Sequence, residues 1–492
     1  MWRSRCLISN WKTHKDPLPC GGRARSKTWF GLISLAGLFL SLVAPVCQAG
    51  EVVVTIDVRT PGPRFEGWGT SLAWWAERIG DWPDDKLDPM LKLITDPDTG
   101  LGMNVFRFNI GGGDKAGHHH MRRGAQIPGY RPEASAAYDW SADPNQRRIL
   151  LKLARACTNT IFEAISYSPP WWMTVSGCSS GSSNGAPNLA DDKITAYADY
   201  LAAVVEHYRA EHGIVFRSAT PMNEPDENWW KADGKQEGCS LTIAQQKELI
   251  VAMSRSLRNH GLTQTLVAVT DGNSFERVAA SVRELEPDPS QLGGITTHSY
   301  HDAGRAELRA LAQRLHKPLW QSESGPLAWK RMSPWETALG MAARTIRDLN
   351  ELQPADWLMW QVSEGGNWGA LGDFPDEQRF VLKEQFYTLR QFTRFIRPGD
   401  ALLPLNSEFA TAAFSSDRRA LTVVLVNTQA GRTNCLLELL GASGLPDSAQ
   451  VVQVGDSTRT GEKFSVQKAG SAYPIELAPT SVTAVRWDNI RL

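Results

Sequence analysis

Beyond residue 49 the sequence has no apolar run long enough to cross a bilayer, no surplus of positive charge and few cysteines. Each absence removes a class of function. Residues 1–49 hold seven of the 52 Lys/Arg and one of the 53 Asp/Glu, so the remainder carries a net charge of −7. That balance disfavours nucleic acid and anionic membrane and fits a neutral partner. Of seven cysteines, four lie beyond residue 49 (Cys157, Cys178, Cys239 and Cys435), and no pair has metal-ligand spacing. Gly111-Gly112-Gly113 lacks the GxGxxG spacing of a phosphate-binding turn. His118-His119-His120 has no carboxylate cluster with it, and adjacent histidines do not readily converge on one ion, so it reads as a solvated loop. No metal and no cofactor are expected. Repeats are absent, and GCSSGSSNG (177–185) is the one low-complexity tract.

The N-terminus carries a targeting pattern. Arg23, Arg25 and Lys27 precede WFGLISLAGLFLSLVAPV, and Cys47-Gln48-Ala49 supplies a small-residue cleavage site. Val46 before Cys47 argues against a lipoprotein box. Residues 1–49 therefore read as a signal peptide, with residues 1–22 long for its polar lead and a downstream start left open. The chain is expected to be secreted, extracellular or periplasmic, without stable membrane association. Export permits thiol oxidation. Cys178 and Cys239 lie in Gly/Ser-rich loops after two adjacent strand motifs and are expected to form a disulfide, whereas Cys157 sits in the helical pattern LLKLARACTN as a buried thiol.

Eight strand-like runs recur, each followed by a Gly/Pro/Asn-rich loop and a helical pattern: 65–75, 104–113, 160–172, 217–225, 265–273, 294–301, 317–325 and 356–366. This predicts a (β/α)8 barrel over residues 65–397, with its site at the C-terminal strand ends. TIAQQKELIVAMSRSLRNHG reads as a helix stopped by Gly261. From residue 398 to 492 short alternating runs such as ALTVVLVNT and SVTAVRW replace the helical period, which predicts an antiparallel β-sandwich. EVVVTIDV, in residues 50–64 ahead of the barrel, is expected to add a strand to it.

The strand ends carry the chemistry. Asn223-Glu224-Pro225 and Glu323 each follow an apolar strand-like run, 99 residues apart in the chain. Glycosidic cleavage needs two carboxyl groups, one to protonate the leaving oxygen and one to attack or stabilise the anomeric carbon. Tryptophan is the other signal: 15 of the 16 beyond residue 49 lie between Trp68 and Trp368, several paired at strand ends. An indole face suits the C–H face of a sugar ring, and its N–H suits a hydroxyl. Asp114, Glu364 and Asn367 sit at strand ends within reach of a sugar, and His298 and His301 flank Tyr300.

The motifs FEGWGTSLAWWA, FRFNIGGGD, YSPPWWM, MNEP, HSYH, WQSESG and FTRFIRPG resemble family 30 of the glycoside hydrolases, a family of retaining (β/α)8 enzymes. GWGTSLAWWA is most similar to the endo-β-1,6-galactanases of that family. The resemblance implies that Glu224, after the fourth strand, is the acid/base and Glu323, after the seventh, the nucleophile. It implies that Arg107 and Tyr300 hold Glu323 ionised, that Asn223 binds the sugar 2-hydroxyl, and that Trp360 floors the subsite of the cleaved sugar. Trp74, Trp172 and His298 join the expected substrate-binding set, with a less polar pocket near Trp172 expected to raise the Glu224 pKa. The expected function is retaining hydrolysis of β-1,6-galactan, such as arabinogalactan side chains. A β-1,6-glucanase or a glucosylceramidase-like β-glucosidase stays open, as does a non-catalytic carbohydrate-binding protein, although the glutamate pair is superfluous in a lectin.

Overall fold

The computed structural model describes residues 51–491 apart from 158, 287, 289, 328, 329 and 367, so the expected signal peptide and Asn367 lie outside the described residues. After β1 (Val52–Asp57), eight parallel strands close a barrel in chain order: β2 (Gly67–Ser71), β3 (Val105–Asn109), β4 (Ile161–Ile165), β5 (Phe216–Thr220), β6 (Leu266–Gly272), β7 (Gly294–His298), β8 (Leu319–Glu323) and β9 (Asp356–Gln361). Each of the eight runs read from the sequence supplies one of these strands. They are almost wholly buried, because helices cover their outer faces and side chains fill the interior.

The helical layer is α1 (Trp75–Ile79), α2 (Asp84–Thr95), α3 (Pro144–Ala156), α4 (Ile194–His212), α5 (Ile243–Asn259), α6 (Phe275–Leu285), α7 (Arg305–Arg314), α8 (Pro334–Arg347) and α9 (Glu384–Thr393). Local signals set their ends. Thr242 and Ser333 form capping boxes with Gln245 and Glu336 at the starts of α5 and α8. Gly261, expected as the stop of α5, follows its last residue by two and has φ +66°.

A hairpin, β10 (Leu371–Phe374) and β11 (Arg379–Leu382), follows the barrel. The remaining strands are β12 (Ala401–Leu403), β13 (Ala410–Phe414), β14 (Ala420–Asn427), β15 (Thr433–Leu440), β16 (Ser448–Gly455), β17 (Glu462–Gln467), β18 (Ala472–Leu477) and β19 (Ser481–Asp488). They make a six-stranded sheet, β12-β13-β14-β19-β16-β17, and a three-stranded sheet, β1-β15-β18. Between them lies a core that includes Ile56, Leu437, Tyr473 and Trp487. β1 pairs with β15 in parallel, so the sandwich is not wholly antiparallel. β14 is buried along its whole length because it faces two cores. Leu421, Val423 and Leu425 pack in the sandwich, while Val424 and Val426 pack against the barrel.

The expected Cys178–Cys239 bridge does not form; both thiols are free and buried. Their loops do adjoin, through Gly238 N–H to Ser179 O (2.9 Å) and Asn188 N–H to Ser240 O (3.0 Å). The side chains diverge: Cys178 Sγ faces Ser176 O and His118, and Cys239 Sγ faces Ser240 O. Adjacent loops are legible in sequence, but the direction of each Cβ is not.

The lower barrel is held by charge. Arg217 on β5 pairs with Glu66, Glu163 and Asp356, and its guanidinium lies 4.3 Å from the centre of the Trp320 ring. Replacing Arg217 with Met leaves two buried carboxylates without their counter-charge. The expected loss is about 3–5 kcal/mol in denaturant unfolding. A loss under about 1 kcal/mol would mean that the carboxylates need no cation there.

Candidate active site

The C-terminal strand ends bring Glu224 and Glu323 together, both buried, in one cavity of about 290 Å³. Its walls include Trp74, Tyr167, Asn223, Trp230, Tyr300, Trp360 and Trp368. A larger cleft, about 610 Å³, lies at the opposite end of the barrel around Cys157 and Val215, without a convergent carboxylate pair.

Glu323 ends β8 and is surrounded by donors. Arg107 Nη1 donates to its Oε1 (3.1 Å), as does Tyr167 Oη (3.3 Å). Tyr300 Oη donates to its Oε2 (3.4 Å), and His298 Nδ1 lies 3.4 Å from the same oxygen. Arg107 also donates to Asp271, at the end of β6. Asp271 in turn accepts from Ser322 Oγ (2.7 Å) and faces His298 Nε2 (3.4 Å). Glu224 Oε1 accepts from Asn273 Nδ2 (2.6 Å) and from His298 Nδ1 (3.0 Å). His301 donates to Asn273 Oδ1 (2.7 Å), which turns the amide NH2 toward Glu224.

One nitrogen therefore reaches both glutamates. Legs of 3.0 and 3.4 Å from His298 Nδ1 bound the gap between their facing oxygens. The two carboxylates thus share one neighbour across the cavity.

The charges fit this arrangement. Burial opposes the charge on His298, but Glu323 and Asp271 outweigh it and hold the imidazolium up at about 10. Burial likewise works against Asp271, yet Arg107 and His298 keep its carboxyl well below the usual range. Burial pushes Glu323 up to about 7 against the pull of His298 and Arg107. Tyr167 and Tyr300, raised well above their ordinary value first by burial and then by Glu323, stay protonated donors. Asp271, His298 and Glu323 lie close enough to hold a cation, but Arg107 already supplies the positive charge there.

Local backbone sets the aim. Glu224 and Asp271 adopt left-handed conformations, φ +44° and +58°, and Glu224 N–H donates to Asp271 O (2.9 Å). Such strain in non-glycine residues is concentrated at functional sites. Trp230 rests on Gly238 and Trp368 on Gly325, where an added Cβ would overlap the rings. Trp360 meets Trp74 and Tyr167 edge-on, each at 5.4 Å between ring centres. Asn223 Oδ1 is buried without a hydrogen-bond partner.

Of the residues expected from sequence, Glu224, Glu323, Asn223, Tyr300, Trp74 and Trp360 line the cavity, and Arg107 and His298 lie directly behind it. Trp172 does not reach it. Its Nε1 donates to Arg131 O (3.0 Å) and its ring lies under the Arg131 guanidinium, 5.1 Å away. The surroundings of Glu224 are accordingly polar donors and Trp230, whose Nε1 donates to Glu224 O (3.1 Å), rather than an apolar pocket near Trp172. Glu364 lines the cavity; Asp114 does not. Sequence reasoning misses Asp271, Asn273 and Tyr167, although TLVAVTDGN and TIFEAISYS read as barrel strands whose ends face the site. Arg122 and Gln236, also in the wall, come from long loops with no periodic signal. The histidine run, expected to have no carboxylate cluster with it, has one carboxylate beside it, Asp114, 3.0 Å from His118 Nδ1.

Comparison with known proteins gives a consistent result. The model of O-glycosyl hydrolase family 30 matches residues 51–290. The chain is similar to the endo-β-1,6-galactanase of Hypocrea rufa, 29% identical over 425 residues that cover 82% of this chain and 86% of that one. It is 24% identical to the exo-β-1,6-galactobiohydrolase of Bifidobacterium longum subsp. longum, covering 93% of this chain and 40% of the relative. Among solved structures, the catalytic domain of xylanase C from Talaromyces cellulolyticus shares the fold, with a TM-score of 0.70 at 17% identity, over 89% of this chain and 100% of that one.

The charge network has a pH signature. His298 titrates near 10 in the folded chain and near its ordinary 6.5 when unfolded. Its stabilisation is therefore fully present below pH 6.5 and is lost as pH rises through 10. His298→Asn should cost about 3–5 kcal/mol near pH 6, as expected for breaking a buried ion pair. The gap to wild type should narrow toward pH 10 in thermal unfolding. A gap that widens with pH would mean that His298 is neutral in the fold.

Proposed function

We propose that this chain, whose residues 51–290 match the model of O-glycosyl hydrolase family 30, is a retaining glycoside hydrolase that cleaves β-1,6-linked galactan. The observation that carries the retaining assignment is the short span between Glu224 and Glu323, bounded by their shared neighbour His298 Nδ1. Retaining enzymes hold the two carboxyl groups roughly 5–5.5 Å apart for direct attack by one carboxylate, and the shared contact with His298 supports that reading.

In the proposed double displacement the Glu323 carboxylate attacks the anomeric carbon as the bond to the leaving oxygen breaks. Glu224 gives its proton to that oxygen. In the second step Glu224 takes a proton from water, the water oxygen attacks the anomeric carbon, and Glu323 departs as a carboxylate. Arg107, Tyr167 and Tyr300 stabilise the negative charge on Glu323 when it is free. His298 and Asn273 orient Glu224. The unpartnered Oδ1 of Asn223 accepts a hydroxyl of the bound sugar, the 2-hydroxyl in this reading, a contact that strengthens as the transition state forms. Trp74, Trp230, Trp360 and Trp368 supply apolar faces for sugar rings.

The choice of galactan rests on similarity to relatives named for action on β-1,6-galactan. Arg122, Gln236 and Glu364 are the polar wall residues available to read the axial 4-hydroxyl that separates galactose from glucose. Secretion, proposed from residues 1–49, places the enzyme with polymeric substrate outside the cytoplasm.

Two experiments test the reading. Glu323→Gln should abolish turnover while substrate affinity stays near wild type. Glu224→Gln should lose about 10²–10⁴-fold on polymer and much less on aryl glycosides with good leaving groups; equal losses on both would remove Glu224 from the acid role. Hydrolysis of β-1,6-galactan and β-1,6-glucan at matched concentration should favour galactan clearly. Preference for the glucan would overturn the substrate assignment and leave the mechanism standing.

A further inference from the structure

The loop after β3 brings Asp114, His118 and His120 together, away from the catalytic cavity wall. Their ligand atoms lie within 4.8 Å of one another, and the two imidazole rings are 4.1 Å apart. The exposed His119 takes no part.

The hydrogen bonds fix the tautomer of His120. Ser180 Oγ donates its single proton to Ala232 O (2.8 Å). It must then accept from His120 Nε2, 3.0 Å away, so Nε2 carries the ring proton and Nδ1 carries a lone pair. That Nδ1 is buried without a hydrogen-bond partner. Facing it at 3.9 Å is Asp114 Oδ2, also buried and unpartnered, on a side chain with 0% exposure. Two acceptors thus face each other with no proton between them, at a distance too long for a hydrogen bond. The other Asp114 oxygen lies 3.0 Å from His118 Nδ1.

We propose that Asp114, His118 and His120 form a binding site for one divalent transition-metal ion of the zinc class. A four-coordinate ion with arms of about 2.0–2.2 Å separates its ligand atoms by about 3.3–3.5 Å. The two histidines lie 3.0 and 3.9 Å from the Asp114 carboxylate, each from a different oxygen, which is near that edge. Two imidazoles and one carboxylate suit zinc or cobalt rather than calcium or magnesium, which favour oxygen. The partial exposure of both histidines leaves a fourth position for water. The Ser180 contact to His120 is the outer-shell bond that metal-binding histidines use to fix their tautomer.

The site ties this loop to the rim. Two residues after His120, Arg122 N–H donates to Lys235 O (3.0 Å), and its guanidinium lies 4.6 Å from the centre of the Trp74 ring in the catalytic cavity. A bound ion would hold the loop that delivers Arg122 to the sugar site, a structural rather than a catalytic role.

The test uses the untagged full chain, stripped with chelator and dialysed. Titration with Co²⁺ should give one equivalent of saturable binding with the visible absorption of a four-coordinate ion. Zn²⁺ should compete for it and raise the thermal midpoint. Asp114→Asn, which preserves shape, and His120→Ala should each weaken Zn²⁺ binding by about 100-fold or more, since outer-shell partners alone are worth about 10–100-fold. His119→Ala should leave it unchanged. Thermal unfolding of the metal-free variants checks that they fold, and Asp114→Asn carries the test if His120→Ala does not. Absence of saturable binding, or binding that survives Asp114→Asn, would overturn the proposal; the second result would place the ion elsewhere.

Discussion

A guanidinium with 1% exposure sits on β3, between the carboxylates of Asp271 and Glu323. Burying such a charge costs several kcal/mol unless its partners are placed well. Those partners come from β6 and β8, and His298 on β7 completes the set by facing Asp271, Glu224 and Glu323. Four strand ends must therefore stop at matching heights before the charges balance. The closed barrel supplies that constraint, because register in one parallel pair fixes the next. Fold and site are coupled through Arg107.

Around this polar centre the cleft is built by close packing. Trp230 and Trp368 lie against glycines, and Trp360 braces Trp74 and Tyr167. Rigid aromatic walls would matter for the proposed 1,6-linked substrate, whose extra rotatable bond raises the entropy lost on ordering the chain. The sandwich supports the barrel from outside through β14, whose alternate residues serve the two cores. Trp335 on α8 adds a hydrogen bond across the same junction, to Thr480 O at 2.7 Å.

Much of this is legible in the sequence, for physical reasons that can be named. Parallel strands buried on both faces leave short apolar runs, and a polar residue closing such a run marks the rim; Glu323 and Glu224 stand out that way. Asp271 follows the same rule but lies inside AVTDGN, where its charge reads as a turn residue. Trp172 follows a strand and so reads as a cleft residue, yet a short helical turn and Arg131 carry it away. The cysteine loops are adjacent as expected, but side-chain direction within a loop leaves no periodic trace. The histidine run shows the converse. Only His118 and His120 converge, and their carboxylate partner, four residues before His118, reads in sequence as a separate strand-end group.

The central claim is that Glu323 attacks the sugar directly across the narrow gap it shares with Glu224. Proton NMR of the first product released from β-linked substrate, read before mutarotation, tests this most directly. Two displacements should deliver the β-anomer first. Initial appearance of the α-anomer would mean a single displacement by water, and the account of Arg107, His298 and the paired glutamates would have to be abandoned.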